Sequence, residues 1–105
     1  MPNAFDIGLA GEQATVNRLK QKDFKITTWN TSSPGSTDIE AQSSSKRLLV
    51  QVKSAILPND SISLSSDEER NIKSRAARIG AEAWETKVWL DNSLNLIDMK
   101  WRKLN

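Results

Sequence analysis

Apolar residues recur at helical spacing through residues 8–22. Leu9, Val16 and Leu19 form one stripe, while Arg18, Lys20 and Lys22 face water. The period then drops to two. Over residues 24–29, Phe24, Ile26 and Thr28 alternate with Lys25, Thr27 and Trp29, which predicts a strand. Residues 30–37 (NTSSPGST) carry turn chemistry around a central Pro-Gly. A short strand over 37–42 and a polar turn at 43–45 follow. Residues 47–55 (RLLVQVKSA) are the most apolar strand and the expected centre of a sheet. Residues 58–60 read as a loop and 61–64 as a short edge strand.

A second helix is expected from Ser65 or Ser66 to position 79. Either serine can cap it, with Glu68 or Glu69 three residues on. Asp67, Glu68 and Glu69 suit the positive end of its dipole. Ile72, Ala76 and Ile79 form its apolar stripe, and Gly80 is the expected stop. Residues 82–90 alternate Trp84, Thr86, Val88 and Leu90 against Glu85, Lys87 and Trp89. After a turn at Asp91-Asn92, residues 94–98 read as a short returning strand and 99–104 as a final helical turn. The pattern predicts an α/β chain, one mixed sheet flanked by helices, in a single domain spanning 1–105.

Composition changes this picture mainly through what is missing. The 105 residues include 15 Lys and Arg against 13 Asp and Glu, a net charge of +2. Mean hydropathy is −0.55. There is no His, Cys or Tyr. That excludes a Ser-His-Asp triad, a thiol or tyrosyl nucleophile, a zinc finger and a disulfide. Any catalysis must rest on carboxylates, Lys, Arg, Ser or Thr, with or without a hard metal ion. No apolar run approaches the roughly 20 residues of a membrane span. The N-terminal MPNAFDIGLAGE lacks the basic and apolar regions of a signal peptide. The expectation is a cytoplasmic protein, nucleoid-associated at most, with no membrane partner.

Period two also sorts the polar groups. Leu48, Val50 and Val52 share one face of the central strand, and Leu49, Gln51 and Lys53 the other. Two polar side chains thus emerge together from the most hydrophobic strand. In the preceding strand Asp38 and Glu40 share a face, and a hairpin through 43–45 lets Asp38 approach Gln51 and Lys53. Glu12 falls on the inward stripe of the first helix, where a carboxylate is costly unless it meets a cation or a metal. Taken singly, each has an ordinary explanation: a snorkelling lysine, a sheet-edge amide, a turn aspartate and a helix-dipole glutamate. Together they form a set suited to a hard divalent cation, Mg²⁺ or Mn²⁺, with oxygen ligands from Glu12, Asp38, Gln51 and the backbone carbonyl of Val52. Lys53 would orient a metal-activated water and stabilise charge on a phosphodiester.

With Glu12 in its first helix, Gly35-Ser36-Thr37-Asp38 before its second strand and Gln51-Val52-Lys53 in its third, the chain resembles the PD-(D/E)XK, or restriction-endonuclease-like, nucleases. Within them it is most similar to the archaeal Holliday junction resolvases, through the early helix, the serine-containing loop, the strand Leu48-Leu49-Val50-Gln51-Val52-Lys53-Ser54, the capped helix and the closing strands. The likeness spans roughly residues 8–100. It implies a restriction-endonuclease-like fold and a metal-dependent endodeoxyribonuclease. Asp38 and Glu12 would hold metal, Lys53 would be catalytic, and Ser32 or Ser33 would position a phosphate. The resolvases carry Glu where this chain has Gln51; Mrr-type enzymes use Gln-x-Lys there. Glu40, on the same face as Asp38, is a candidate auxiliary acid that would partly compensate for the lost charge.

Candidate DNA contacts are Arg70, Lys73, Arg75 and Arg78 on the second helix, with Lys20, Lys22, Lys25, Lys46 and Arg47 beyond them. An ordinary solvated helix face explains the first four equally well. Trp84 suits the core, while Trp89 and Trp101 are candidates for a homodimer interface. The expected partner is DNA, branched DNA in particular. Two rival readings keep the fold: a DNA-binding or accessory protein without turnover, which Gln51 favours, and a nuclease subunit that needs a partner for specificity.

Overall fold

A computed structural model describes residues 2–29, 39–61 and 63–105. Asn3 caps the first helix, accepting from the Asp6 N–H at 2.8 Å, so α1 runs Ala4–Gln21 and starts a full turn before the apolar stripe suggests. The strands are β1 (Lys25–Thr28), β2 (Ile39–Gln42), β3 (Arg47–Ile56), β4 (Glu82–Leu90) and β5 (Leu96–Lys103), with α2 (Ser66–Ile79) between β3 and β4. Among the described residues they form one sheet in the order β1-β2-β3-β4-β5. Every neighbouring pair is antiparallel except β3 and β4, which run parallel. A parallel pair needs a long crossover, and α2 supplies it.

The central strand is buried on both faces because a helix covers each. Val50 and Val52 face α1 with Val16, Leu19 and Val88. Leu49 faces α2 with Leu64, Ile72, Ala76 and Ala83. The close fit of α1 depends on Gly11, where a Cβ would overlap the Ser54 side chain. Helix α2 is bounded as its sequence indicates. Ser65 and Glu68 complete a reciprocal capping box, and Gly80 ends the helix in the left-handed conformation, φ 68°.

Several expectations need correction. Residues 99–104 do not form a helical turn: 96–103 extend as β5 along β4 from Leu90 back to Trp84, with Trp101 opposite Thr86 and Met99 opposite Val88. Cross-strand pairing outweighs the helix preference of Met, Lys, Arg and Leu. The described part of 61–64 is not a strand. Its groups are committed elsewhere: the Leu64 N–H donates to the Glu85 side chain, and Ser61 Oγ donates to the Lys53 backbone carbonyl. Ile79, placed in the apolar stripe of α2, is 39% exposed. No described helix is long and apolar enough to cross a membrane.

Candidate functional site

The hairpin of β2 and β3 sets the site. Ile39 pairs with Val50 and Glu40 with Leu49. Ile39 and Ala41 are fully buried while Glu40 is half-buried, as the alternation requires. Glu40 already pairs with Arg47 at 3.4 Å on the same face. Asp38, Ser32 and Ser33 lie outside the described residues. Asp38 is joined to Ile39, whose partner Val50 precedes Gln51.

Gln51 and Lys53 follow on the face that α2 covers. Gln51 is 7% exposed, and Val52 between them is 5% exposed and turned toward α1. Lys53 is half-buried and donates from Nζ to Glu68 Oε2 at 2.9 Å. The other carboxylate oxygen of Glu68 accepts the Ser65 N–H at 3.0 Å. That backbone hydrogen bond, followed by the one from Lys53, holds the Glu68 carboxyl below the usual range. One residue therefore caps α2 and holds the lysine. Its place at the third helical position was visible in the sequence as a cap; its reach to Lys53 was not.

Glu12 is only 2% exposed, and Trp29 donates its indole N–H to Glu12 Oε1 at 2.9 Å. Its helix packs on the Val52 and Ser54 side of β3, since Gly11 sits directly against Ser54. Glu12 thus comes from the α1 side of the sheet, whereas Gln51 and Lys53 face α2. Trp29 as its partner was not foreseen.

Glu85 was also missed. It lies beside Gln51 in the parallel ladder, is 1% exposed, and accepts from the Leu64 N–H at 2.9 Å and Arg102 Nε at 3.1 Å. Arg102 also reaches Glu69 Oε1 at 2.9 Å. Burial alone pushes the Glu85 carboxyl up, but the Arg102 and Leu64 hydrogen bonds outweigh it, and its pKa falls below the ordinary 4.5. In the sequence Glu85 alternates onto a face with Lys87 and Trp89, so no run of apolar neighbours marks it as buried.

Of the α2 cations, Arg70 pairs with Asp67 at 3.1 Å, Lys73 is half-buried, and Arg75 and Arg78 are exposed. Trp101 packs edge-on against Trp84, ring centroids 6.3 Å apart. The two help line an apolar hollow of about 290 Å³ with Leu19, Phe24 and Leu48. Trp89 donates to Asp60 at 3.2 Å.

Among the described residues no three acidic side chains gather as a metal site. The oxygen donors of Glu12 and Gln51 suit a hard divalent cation, but a ligand set needs Asp38 to complete it.

A mixed sheet with one helix on each face and the motif strand at its centre is the restriction-endonuclease-like α/β fold. The solved structure of Hjc, a Holliday junction resolvase from the archaeal hyperthermophile Archaeoglobus fulgidus, matches with a TM-score of 0.64, covering 92% of this chain and 72% of the other at 21% identity. No protein-family model matches the chain, and no curated protein matches it in sequence.

Proposed function

We propose that this chain is a metal-dependent endodeoxyribonuclease acting on branched DNA, with Gln51-x-Lys53 in the place of the usual acid-x-lysine pair. The observation that carries the reading is Gln51 and Lys53 on one face of the buried central strand, beside the hairpin strand that leads to Asp38. The likeness of the fold to a Holliday junction resolvase supports it. Asp38, Gln51 and the Val52 carbonyl are the residues to hold Mg²⁺ or Mn²⁺; Glu12, which comes from the α1 side of the sheet, stands apart from Gln51 and Lys53. When bound, the ion would lower the pKa of a water and offset charge on the scissile phosphate. Lys53 supplies a fixed positive charge toward that phosphate. Glu12, clamped by Trp29, keeps its carboxylate in one place. A homodimer would set two sites about a twofold axis, which suits paired cuts in a symmetric junction.

A second reading is a DNA-binding protein of the same fold without turnover. It is favoured by the neutral Gln51 and by the engagement of Lys53 with Glu68. The test uses purified protein with a four-way junction, a matched linear duplex and single-stranded DNA, each with Mg²⁺, Mn²⁺ or EDTA. Paired symmetric cuts in the junction, abolished by EDTA and by Lys53→Ala, support the first reading. Cuts in every substrate indicate a general nuclease. Binding without cuts under any metal supports the second.

A further inference from the structure

Two residues along from the Gln51 row, the sheet carries three lysines in one line. Lys53 is in register with Lys87, and Lys87 with Lys100. Strands lie about 4.8 Å apart, so the line crosses β3, β4 and β5 over roughly 10 Å. The preceding row reads Gln51, Glu85, Arg102, and there opposite charges meet. In the lysine row they do not. Like charges directly across neighbouring strands are destabilising.

Lys53 has Glu68, but neither Lys87 nor Lys100 has a carboxylate within ion-pair distance among the described residues. Glu85, in the preceding row, hydrogen-bonds Arg102 and Leu64, and Lys87 acts on it only through space, as the smallest of the influences that lower its pKa. Both lysines line an open cleft of about 380 Å³ with Ser63, Glu85, Trp101 and Arg102. Lys87 is half-buried and Lys100 exposed.

We propose that Lys87 and Lys100 extend from Lys53 as a phosphate track for one strand of duplex DNA, continuing the proposed cleavage site across β4 and β5 to the sheet edge. The inference rests on the nuclease reading for its ligand. A single DNA strand presents one phosphate per 3.4 Å of helix axis, so a row of roughly 10 Å along that axis spans about three phosphate steps. Lysine is a compact point charge that makes such contacts without reading bases. The polyanion removes the repulsion that the row carries alone.

The test is fluorescence anisotropy with a labelled four-way junction and a labelled linear duplex, in EDTA so that nothing is cut, across a salt series. The double variant Lys87→Ala/Lys100→Ala should lose about tenfold or more in affinity for both DNAs at low salt. Its log–log salt slope should fall by about two, as two phosphate contacts disappear. Lys87→Arg/Lys100→Arg should restore most of the binding. Thermal unfolding of the alanine variant should be unchanged or slightly raised, which separates lost contacts from lost fold. If the native chain binds DNA and the double variant binds with the same affinity and slope, the track is wrong while the nuclease reading stands. If the native chain binds neither DNA, both fall.

Discussion

Lys53 and Glu68 meet at 2.9 Å, tying the central strand to the first turn of α2. The Glu68 side chain is 41% exposed, so the pair itself adds only about 0.5 kcal/mol or less. The capping role of Glu68 is worth more, about 1 kcal/mol. Glu68→Gln keeps a side chain able to complete the cap and removes the negative charge that faces Lys53. The expected outcome is a small loss in urea midpoint and tighter DNA binding at low salt, because Lys53 is released. Glu68→Ala should cost about 1 kcal/mol more. Loss of cleavage in Glu68→Gln, with binding intact, would instead place Glu68 among the reacting groups.

Thr86 is fully buried, and its hydroxyl has no hydrogen-bond partner among the described residues. An unsatisfied buried hydroxyl costs about 1–3 kcal/mol. Thr86→Val has nearly the same shape and should stabilise the fold by about 1 kcal/mol. For a chain of this size that raises Tm by about 4–8 °C. A lower Tm by calorimetry would mean that the hydroxyl is satisfied, for instance by water.

Gly11 is required by contact and not by backbone conformation. A Cβ there would overlap both Oγ and Cβ of Ser54. Gly11→Ala should therefore cost about 1–3 kcal/mol by lifting α1 from β3, despite alanine's better helix propensity. Adding Ser54→Ala removes the nearer clash and should recover part of the loss. Full stability in the single variant, read by chemical denaturation, would refute the close contact.

The acid limb of stability follows from four carboxyls, among them Asp91, which the Asn95 N–H holds below its ordinary 3.8. Glu68, Glu82 and Glu85 are all held below their ordinary value of 4.5. For Glu68 the main cause is the Ser65 N–H, and for Glu82 the Trp84 indole. For Glu85, burial acts in the opposite direction and is outweighed by the Arg102 and Leu64 hydrogen bonds. In this range the unfolded chain binds more protons than the folded one. Stability is thus fully present above about 4.5 and is lost as pH falls through the folded values. Urea midpoints measured from pH 7 to pH 3 should be flat at first and then fall. Glu85→Gln should make the fall shallower.

The elements with the strongest local signals were legible in the sequence. The end of α2 at Gly80 and the full span of β4 are as the pattern indicates. The end of β5 was not, although Met99 and Trp101 alternate with Lys100 and Arg102. An edge strand with one solvated face has a weak pattern, and its pairing with β4 supplies the missing preference. The site divides the same way. Gln51 and Lys53 stood out because polar groups are rare on an apolar strand. Trp29 on Glu12, Glu68 on Lys53 and Arg102 on Glu85 are contacts between elements distant in the chain, which no local period encodes.

Among the described residues one strand pair, β3–β4, is parallel, and it sets the longest loop the sheet must close. The hairpin contacts are short in sequence: Gln42 faces Arg47, and Leu90 faces Leu96. Along the β3–β4 seam, every pair from Leu48 with Glu82 to Ile56 with Leu90 is 34 positions apart. Closing that span costs more chain entropy than closing either hairpin, and it returns nothing until α2 has formed between them. The sheet is therefore expected to form as two antiparallel halves that join along this seam last. Pulsed hydrogen exchange during refolding should show protection across β2–β3 and β4–β5 before it appears along the seam. Gln51 and Lys53 sit in that seam, so on this order the site is completed only in the final step of folding.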